Sequence, residues 1–210
     1  MSDRDGEIDA FLAAAGWGGS QRAPLAQDAS FRRYERIYRG DRPAVLMDAP
    51  PAHEDVRPFL RVARKLGELG LSAPAILAED RDRGFLLLED MGDATFTRLL
   101  NAGEDAAPLY MLAADVLVRL HRFPAATAVP AGLAPYDDAL FQREAALLTE
   151  WYMPALLGAE TPADVAASYA DAWADLLPLA RRVPESLVLR DYHVDNLMRL
   201  PGRQGAAACG

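Results

Sequence analysis

The sequence predicts an α+β protein in which a small antiparallel sheet comes first and a helical region follows. Three observations support this prediction. Short apolar runs bounded by turn residues fill the first 90 residues, helical periodicity dominates from Asp93 onward, and two more short apolar runs surround a polar loop near residue 190. We therefore expect two lobes, residues 1–90 and residues 91–210, with a crevice between them as the natural ligand site.

The first lobe is predicted to contain one sheet and two helices. The segment EIDAFLAAAGW has apolar residues at helical spacing and predicts a helix that ends near Trp17. Residues 29–39 and 43–49 predict a β-hairpin, because the turn signal GDR stands between them. The other predicted elements of this lobe are a helix over residues 53–70, which ends in glycine, and strands over residues 74–80 and 84–90.

The second lobe is predicted to be mainly helical. Thr161 is the expected N-cap of its last helix, because Pro162 follows at the first turn. Strands are expected over SLVLR and LMRL, so that a β-hairpin would hold the polar loop 190–196. The predicted helices, each with an apolar stripe, cover residues 109–123, 137–152 and 161–183.

Composition and charge argue against several functions. The formal net charge of -9 disfavours binding to nucleic acid or to an anionic membrane surface, because both need a net basic face. No apolar run approaches the roughly 20 residues that cross a bilayer, and the start MSDRDGEIDA lacks a secretory-signal pattern, so we expect a cytoplasmic protein. The single cysteine, Cys209, excludes an internal disulfide. The oligomeric state is not indicated.

The polar loop RDYHVDN has Asp191 five positions before Asn196. Phosphoryl transfer to a hydroxyl needs a carboxylate that orients the attacking group and accepts its proton. It also needs oxygen ligands for the magnesium that bridges the phosphates. Asp191 and Asn196 suit these two tasks. The alternative is a polar turn in which both side chains only accept hydrogen bonds from backbone amides.

Four stretches point to a known family, namely DASFRRYERI (28–37), AVLMDAPP (44–51), RGFLLLEDMGD (83–93) and LVLRDYHVDNLMRL (187–200). Together they resemble the aminoglycoside phosphotransferase-like family of small-molecule kinases, and within it the bacterial N-acetylmuramate/N-acetylglucosamine anomeric kinases of cell-wall recycling. The resemblance implies a protein-kinase-like two-lobe fold and ATP-dependent phosphorylation of the anomeric hydroxyl of an amino sugar. The alternatives are a kinase for another small alcohol, of aminoglycoside, choline or homoserine type, and a non-catalytic nucleotide-binding module or inactive fragment.

The resemblance also implies site residues. Asp191 would be the catalytic base and Asn196 a Mg²⁺ ligand. ATP would be bound by the first hairpin, at Ser30, Phe31, Arg32 and Arg33, and by the linker between the lobes, at Glu89, Asp90 and Met91. Candidates for substrate contacts are His193, Asp195 and Glu144. Glu144 lies on an apolar helical stripe, where a carboxylate is costly unless it faces a cavity or is paired, for example with Arg190.

Met47 occupies the position at which kinases have a strand lysine that contacts ATP. The only lysine of the chain is Lys65, on a predicted helix, so an arginine would have to supply this charge. Arg32 and Arg33 are the candidates, because the planar arginine fork suits phosphate. The alternative is an exposed strand face on which alternating charges are ordinary.

One component that the resemblance implies has no counterpart in the sequence. Kinases of this type have a second acidic magnesium ligand on a strand that follows the Asp191 loop. The segment PGRQGAAACG, where that strand would begin, contains no acidic residue. We therefore expect the helical lobe to be incomplete at its C-terminus and phosphotransfer by the 210-residue chain to be impaired.

Overall fold

A computed structural model describes residues 3–25, 31–203 and 206–208. The chain forms two compact units, one of residues 1–131 and 189–210 and one of residues 132–188. No helix in the described part of the chain combines the length and the apolar character needed to cross a membrane. The helices are α1 (Asp3–Ala14), α2 (Arg57–Glu68), α3 (Phe96–Asn101), α4 (Ala106–His121), α5 (Ala125–Ala128), α6 (Asp138–Leu147), α7 (Met153–Leu157) and α8 (Ala163–Ala180). The strands are β1 (Gln21–Pro24), β2 (Arg33–Arg39), β3 (Arg42–Asp48), β4 (Ile76–Asp80), β5 (Phe85–Glu89), β6 (Leu197–Arg199) and β7 (Ala206–Ala208).

The first unit contains a five-stranded antiparallel sheet in the order β1-β2-β3-β5-β4. This sheet, with the helices that follow it, confirms the predicted α+β class. The strands predicted over 74–80 and 84–90 are β4 and β5, and the predicted hairpin is β2 and β3. Strand β1 was not predicted, because its sequence QRAP is short and has no apolar alternation. Its Pro24 is tolerated because β1 is an edge strand.

Helices cover both faces of this sheet. Strand residues alternate between the faces, so Leu46 packs in a core with Ile8 and Phe11 of α1, while the neighbouring Met47 packs with Leu60 of α2. Because both faces are buried, β3 and β5 appear in the sequence as unbroken apolar runs. The predicted helices over EIDAFLAAAGW and 53–70 are thus confirmed as α1 and α2.

The polar loop is not held by the predicted β-hairpin. Residues 186–190 form no strand, and β6, after the loop, pairs instead with β7. Met198 of β6 also makes an isolated antiparallel bridge with Thr95, just before α3. The prediction was wrong because a short apolar run indicates burial, as at Leu187, which is 2 % exposed, but does not identify a ladder partner.

The second unit is helical, and two details of its prediction were wrong. The segment predicted as one helix over 137–152 is α-helical only as far as the end of α6. A π-helical segment, Leu148–Tyr152, follows and leads into α7. Thr161 is not the N-cap of α8: the cap is Pro162, without a side-chain hydrogen bond, and the Thr161 hydroxyl donates to the Thr149 carbonyl at 2.5 Å. The stripe of Glu144 is also exposed, with Trp151 at 71 %.

Candidate active site

The loop that contains Asp191 and Asn196 is a compact turn. Arg190, just before it, has a positive φ of 58°. The side-chain Nδ2 of Asn196 donates to the backbone carbonyl of Asp191 at 3.0 Å, and the Asn196 backbone N–H donates to the His193 carbonyl at 2.9 Å. This bond uses the amide nitrogen of Asn196, and the side-chain oxygen is the atom that can bind a cation. Asp191 itself is exposed.

Three hydrogen bonds fix this loop to the helices of the first unit. The Tyr192 hydroxyl donates to the Ala113 carbonyl of α4 at 2.8 Å, and burial raises the pKa of Tyr192 to about 12. The Thr97 hydroxyl, at the start of α3, donates to the Asp195 carboxylate, and the Thr97 backbone N–H donates to the Val194 carbonyl at 3.2 Å. The loop is therefore anchored on both sides of His193.

His193 and Asp195, the candidates for substrate contacts within the loop, are exposed and contact the loop itself. The Asp195 backbone N–H donates to Nδ1 of His193 at 3.4 Å. The other ring nitrogen, Nε2, lies 3.3 Å from Nδ2 of Asn196. The geometry therefore gives both residues a part in ordering the loop, and their contacts with substrate stay a prediction.

The linker after β5 is held by Arg36 of β2. Nε of Arg36 lies 2.7 Å from Oδ2 of Asp90, and its Nη1 lies 3.1 Å from Oδ2 of Asp93. Asp90 also accepts the Gly92 backbone N–H at 2.8 Å. The hydrogen bond from Arg36 outweighs desolvation and holds the pKa of Asp93 below its usual value. Met91 lies between these two aspartates in the chain.

The predicted nucleotide-binding residue Glu89 already has partners within the structure. Its backbone N–H donates to the Ala75 carbonyl at 2.8 Å. Its carboxylate accepts the Ala75 N–H at 3.1 Å and also contacts Arg203. Glu89 therefore closes the end of the sheet, where the linker begins.

The linker continues directly into the anchor of the polar loop. The Arg199 backbone N–H donates to the Ala94 carbonyl at 2.9 Å, next to the bridge between Thr95 and Met198. Residues 90–97 thus contact β2 at one end and the Asp191 loop at the other. The two candidate regions, which lie about 100 residues apart in the sequence, adjoin the same segment.

The first hairpin contains the other candidates for ATP binding. Ser30 lies outside the described residues. Phe31 stacks on His53, with 4.4 Å between ring centroids, and Nε of Arg32 lies 3.2 Å from Oε2 of Glu54. Arg33 instead contacts Asp48, with Nη2 and Oδ2 2.5 Å apart. The two arginine candidates therefore have different partners.

Glu144 belongs to the second unit and is half-buried there. Its carboxylate accepts a hydrogen bond from the Tyr136 hydroxyl. A carboxylate paired with a phenol can bind the hydroxyl groups of a sugar, but it is equally suited to a purely structural contact. The role of Glu144 stays a prediction.

The predicted magnesium ligand among the described residues is Asn196. Asn196 offers an amide oxygen, a ligand that Mg²⁺ accepts. No group of three or more His, Cys, Asp or Glu suited to a metal occurs among the residues that the structure describes. The role of Asn196 as a metal ligand stays a prediction.

Sequence reasoning missed Arg36, Thr97 and Tyr192. Arg36 could have been found, because it lies two residues after Tyr34 in β2 and therefore on the same face of the sheet. Thr97 gives no sequence signal, since its partner Asp195 is 98 residues away. Tyr192 lies in the loop, but nothing in the sequence identifies Ala113 as its partner.

Comparison with known proteins gives concordant matches. A model of the phosphotransferase enzyme family (APH) matches residues 21–206. The chain is 39 % identical to the N-acetylmuramate/N-acetylglucosamine kinase of Pseudomonas aeruginosa over 92 % of this chain and 57 % of that protein. It is 34 % identical to the enzyme of the same name from Caulobacter vibrioides, over 100 % of this chain and 66 % of that protein.

The fold is also similar to that of a solved structure. The streptomycin–ATP–APH(2″)-IIa ternary complex matches with a TM-score of 0.58 and 16 % identity, over 99 % of this chain and 70 % of that one. At this identity the match shows the fold alone, and it confirms the fold class that the sequence predicts. The chain spans 57 % and 66 % of the lengths of the two curated relatives. The predicted lobe boundary at residue 90 stays a prediction.

Proposed function

We propose, on the premise that this chain belongs to the phosphotransferase enzyme family, that it is an ATP-dependent kinase for the anomeric hydroxyl of an amino sugar, N-acetylmuramate or N-acetylglucosamine. The acceptor is suggested by the names of the relatives in Pseudomonas aeruginosa and Caulobacter vibrioides. The observation that carries the proposal is the loop in which Asn196 is hydrogen-bonded to Asp191. Such a loop presents a carboxylate and an amide oxygen in a preorganised arrangement.

Asp191 is the proposed general base. Its carboxylate accepts the proton of the anomeric hydroxyl and orients the oxygen toward the γ-phosphorus. Its exposure suits this role, because the acceptor must approach the carboxylate directly. Asn196 is the proposed protein ligand of Mg²⁺. When bound, the ion neutralises charge on the phosphates.

ATP is assigned to the linker and the first hairpin. Backbone groups at Asp90 and Met91 are assigned to adenine, with Glu89 at the end of the sheet as their support. Arg36 keeps this linker in place through Asp90 and Asp93. The hairpin residues Ser30, Phe31, Arg32 and Arg33 are assigned to the phosphates, and Ser30 rests on the sequence alone.

The first candidates for contacts with the sugar are two residues close to the base in the loop. His193 and Asp195 adjoin Asp191 in the loop, where their mutual contacts limit how far either can move. Glu144, with Tyr136, is the candidate for sugar hydroxyls in the second unit. These three assignments concern the substrate only, and the phosphoryl transfer does not depend on them.

The test is an ADP-release assay on the protein, with ATP and each of the two amino sugars. We expect ADP release only in the presence of an amino sugar with a free anomeric hydroxyl, and no ADP release with the methyl glycoside. Turnover only with an aminoglycoside, choline or homoserine would contradict the acceptor. Magnesium-dependent nucleotide binding without turnover on any alcohol would contradict the kinase and favour a non-catalytic module.

A further inference from the structure

Three arginines lie at or near the start of β2, and the structure gives each a different carboxylate partner. Arg33 and Arg36 belong to β2, and Arg32 immediately precedes it. Because side chains alternate along a strand, Arg33 lies on one face of the sheet and Arg36 on the other. Tyr34 lies on the face of Arg36, where it packs against the core that contains Met47.

Arg33 serves as a counter-ion of Asp48. The Asp48 carboxylate is buried, at 3 % exposure, and its two oxygens each contact one arginine. Oδ2 lies 2.5 Å from Nη2 of Arg33, and Oδ1 lies 2.6 Å from Nη2 of Arg4 in α1. Arg33 is therefore on the α1 face of the sheet, where it compensates a buried charge.

Arg36 is committed to the linker. It contacts the carboxylates of Asp90 and Asp93, and its Nη2 donates to the Gly92 carbonyl at 3.1 Å. Its single positive charge is already shared between two carboxylates. A phosphate that recruited Arg36 would have to release the linker from β2.

Arg32 has a different setting. Its Nε lies 3.2 Å from Oε2 of Glu54, three residues before the first residue of α2, and both side chains are about three-quarters buried or more. Desolvation opposes the charge of Arg32, but Tyr34 and Glu54 outweigh it and raise the pKa of the guanidinium. Next to this pair, Phe31 stacks on His53. The pair thus joins the hairpin to the segment that leads into α2.

Met47 faces the α2 side and is 1 % exposed. In protein kinases, the lysine at this strand position contacts the phosphates of ATP and pairs with a glutamate of the helix that follows. The described residues contain a comparable ion pair, between Arg32 and Glu54. Here the cation comes from the hairpin and the carboxylate from the residues before α2.

We propose that Arg32, positioned by Glu54, is the cation that contacts the nucleotide phosphates in place of the strand lysine. This inference rests on the proposed ATP-dependent function. Arg32 touches the phosphates, and Glu54 is a positioning residue that acts through Arg32. An arginine fork can contact two phosphate oxygens at once, so loss of Arg32 affects ATP more than a ligand without phosphates.

The experiment measures affinities for ATP, AMP and adenosine by titration calorimetry on the wild-type chain and on Arg32→Ala. We expect the ATP dissociation constant to rise roughly 10- to 100-fold in Arg32→Ala. The rise in the dissociation constant should be smaller for AMP, and the dissociation constant for adenosine should change by less than about 3-fold. The matched control is Arg57→Ala, because Arg57 is an exposed arginine at the start of α2 that pairs with Asp55 and Asp82. It should leave all three affinities unchanged.

Glu54→Gln tests the positioning role. If Glu54 acts through Arg32, Glu54→Gln changes the ATP affinity of the wild-type chain but not that of Arg32→Ala. Additive effects of the two substitutions would overturn this role. Arg32→Lys should recover part of the ATP affinity, because it restores the charge without the fork.

The outcomes separate the two proposals. A wild-type chain that binds no ATP overturns both the proposed function and this inference. Normal ATP affinity in Arg32→Ala, with ATP bound by the wild-type chain, overturns this inference alone. If Arg32→Ala does not fold, Arg32→Gln replaces it, since glutamine keeps a long polar side chain without the charge, and the same affinity criterion applies.

Discussion

The hydroxyl of Tyr192 donates a 2.8 Å hydrogen bond to the backbone carbonyl of Ala113, and so joins the candidate catalytic loop to helix α4. These residues lie 79 positions apart in the sequence. Because Tyr192 directly follows Asp191, this bond also restrains the carboxylate proposed as the base. Replacement of Tyr192 therefore tests whether the loop depends on α4.

Tyr192→Phe should lower the free energy of unfolding by about 1 kcal/mol, the usual net contribution of one hydrogen bond. It should also lower the turnover number, because the base is less firmly held. Thermal unfolding and the ADP-release assay measure the two effects. Tyr110→Phe is the control, since Tyr110 is an exposed tyrosine of the same helix. An equal effect of both substitutions would contradict the anchoring role.

The raised pKa of Tyr192 gives a pH dependence with a defined sign. The folded chain holds this proton more strongly than the unfolded chain, whose tyrosine has the ordinary value of 10.0. The stabilisation is therefore complete below pH 10 and is lost as the pH rises toward the folded-state pKa of about 12. The stability difference between the wild-type chain and Tyr192→Phe should shrink in this range. A difference that stays constant would contradict the prediction.

Asp191→Asn should reduce turnover roughly 10²- to 10⁴-fold, the usual contribution of a general base. ATP affinity should change by less than about 3-fold, because the amide keeps the shape of the loop but cannot take the proton. Steady-state kinetics and calorimetry separate these effects. Asp115→Asn, at an exposed position of α4, is the control for the chemical change alone. Full turnover in Asp191→Asn would remove this residue from the mechanism.

Thr97→Val should lower turnover several-fold while changing stability by less than about 1 kcal/mol. The substitution removes the hydroxyl that donates to Asp195, but both side chains are accessible to water, which can replace the lost hydrogen bond. Kinetics and chemical denaturation measure the two quantities. Thr127→Val, at an exposed threonine in α5, is the matched control. If Thr97→Val keeps full turnover, Thr97 does not position the loop.

Arg36→Ala should lower the free energy of unfolding by about 3 kcal/mol, because it leaves the Asp90 carboxylate, whose side chain is 6 % exposed, without its counter-ion. The effect should diminish in acid. The pKa of Asp93 is held below 3.8, so its stabilisation is present above that pH and is lost as the pH falls further. Denaturant titrations at neutral pH and at about pH 3 measure the loss of unfolding free energy and its decrease in acid.

The control for Arg36→Ala is again Arg57→Ala. Its ion pairs are exposed, so we expect a change of less than about 0.5 kcal/mol at either pH. If Arg36→Ala costs no more than this control, the linker does not depend on Arg36 for its attachment to β2.

Gly84→Ala should destabilise the sheet by at least about 2 kcal/mol. Gly84 has a φ of 71°, and an added Cβ would lie 1.9 Å from the Ala49 carbonyl oxygen. The contrasting control is Gly67→Ala in α2, where a Cβ meets nothing within 4 Å. This second substitution should stabilise the chain by about 0.5–1 kcal/mol, because glycine is unfavourable inside a helix. Thermal unfolding of both variants is sufficient, and effects of the same sign would contradict the prediction.

Much of the fold was predictable because burial leaves a pattern in the sequence. The apolar runs of β3 and β5 reflect strands covered by α1 and α2 on opposite faces. The support of the Asp191 loop was not predictable: the expected hairpin does not form, since β6 pairs with β7 and bridges Thr95, partners that no local pattern indicates. The weak strand β1 was missed for a similar reason: an exposed edge strand needs no apolar alternation.

The sequence by itself determined the α+β class and the family, and it identified Asp191 and Asn196 as candidates, because these inferences depend on local periodicity and on short motifs. Only the tertiary structure decided how Arg32, Arg33 and Arg36 are distributed. Their carboxylate partners lie in β3, in the linker and in the segment before α2, and only packing brings these segments together around β2. The sequence shows where the charged residues stand, but the fold decides which face of the sheet each one occupies and which residue it contacts.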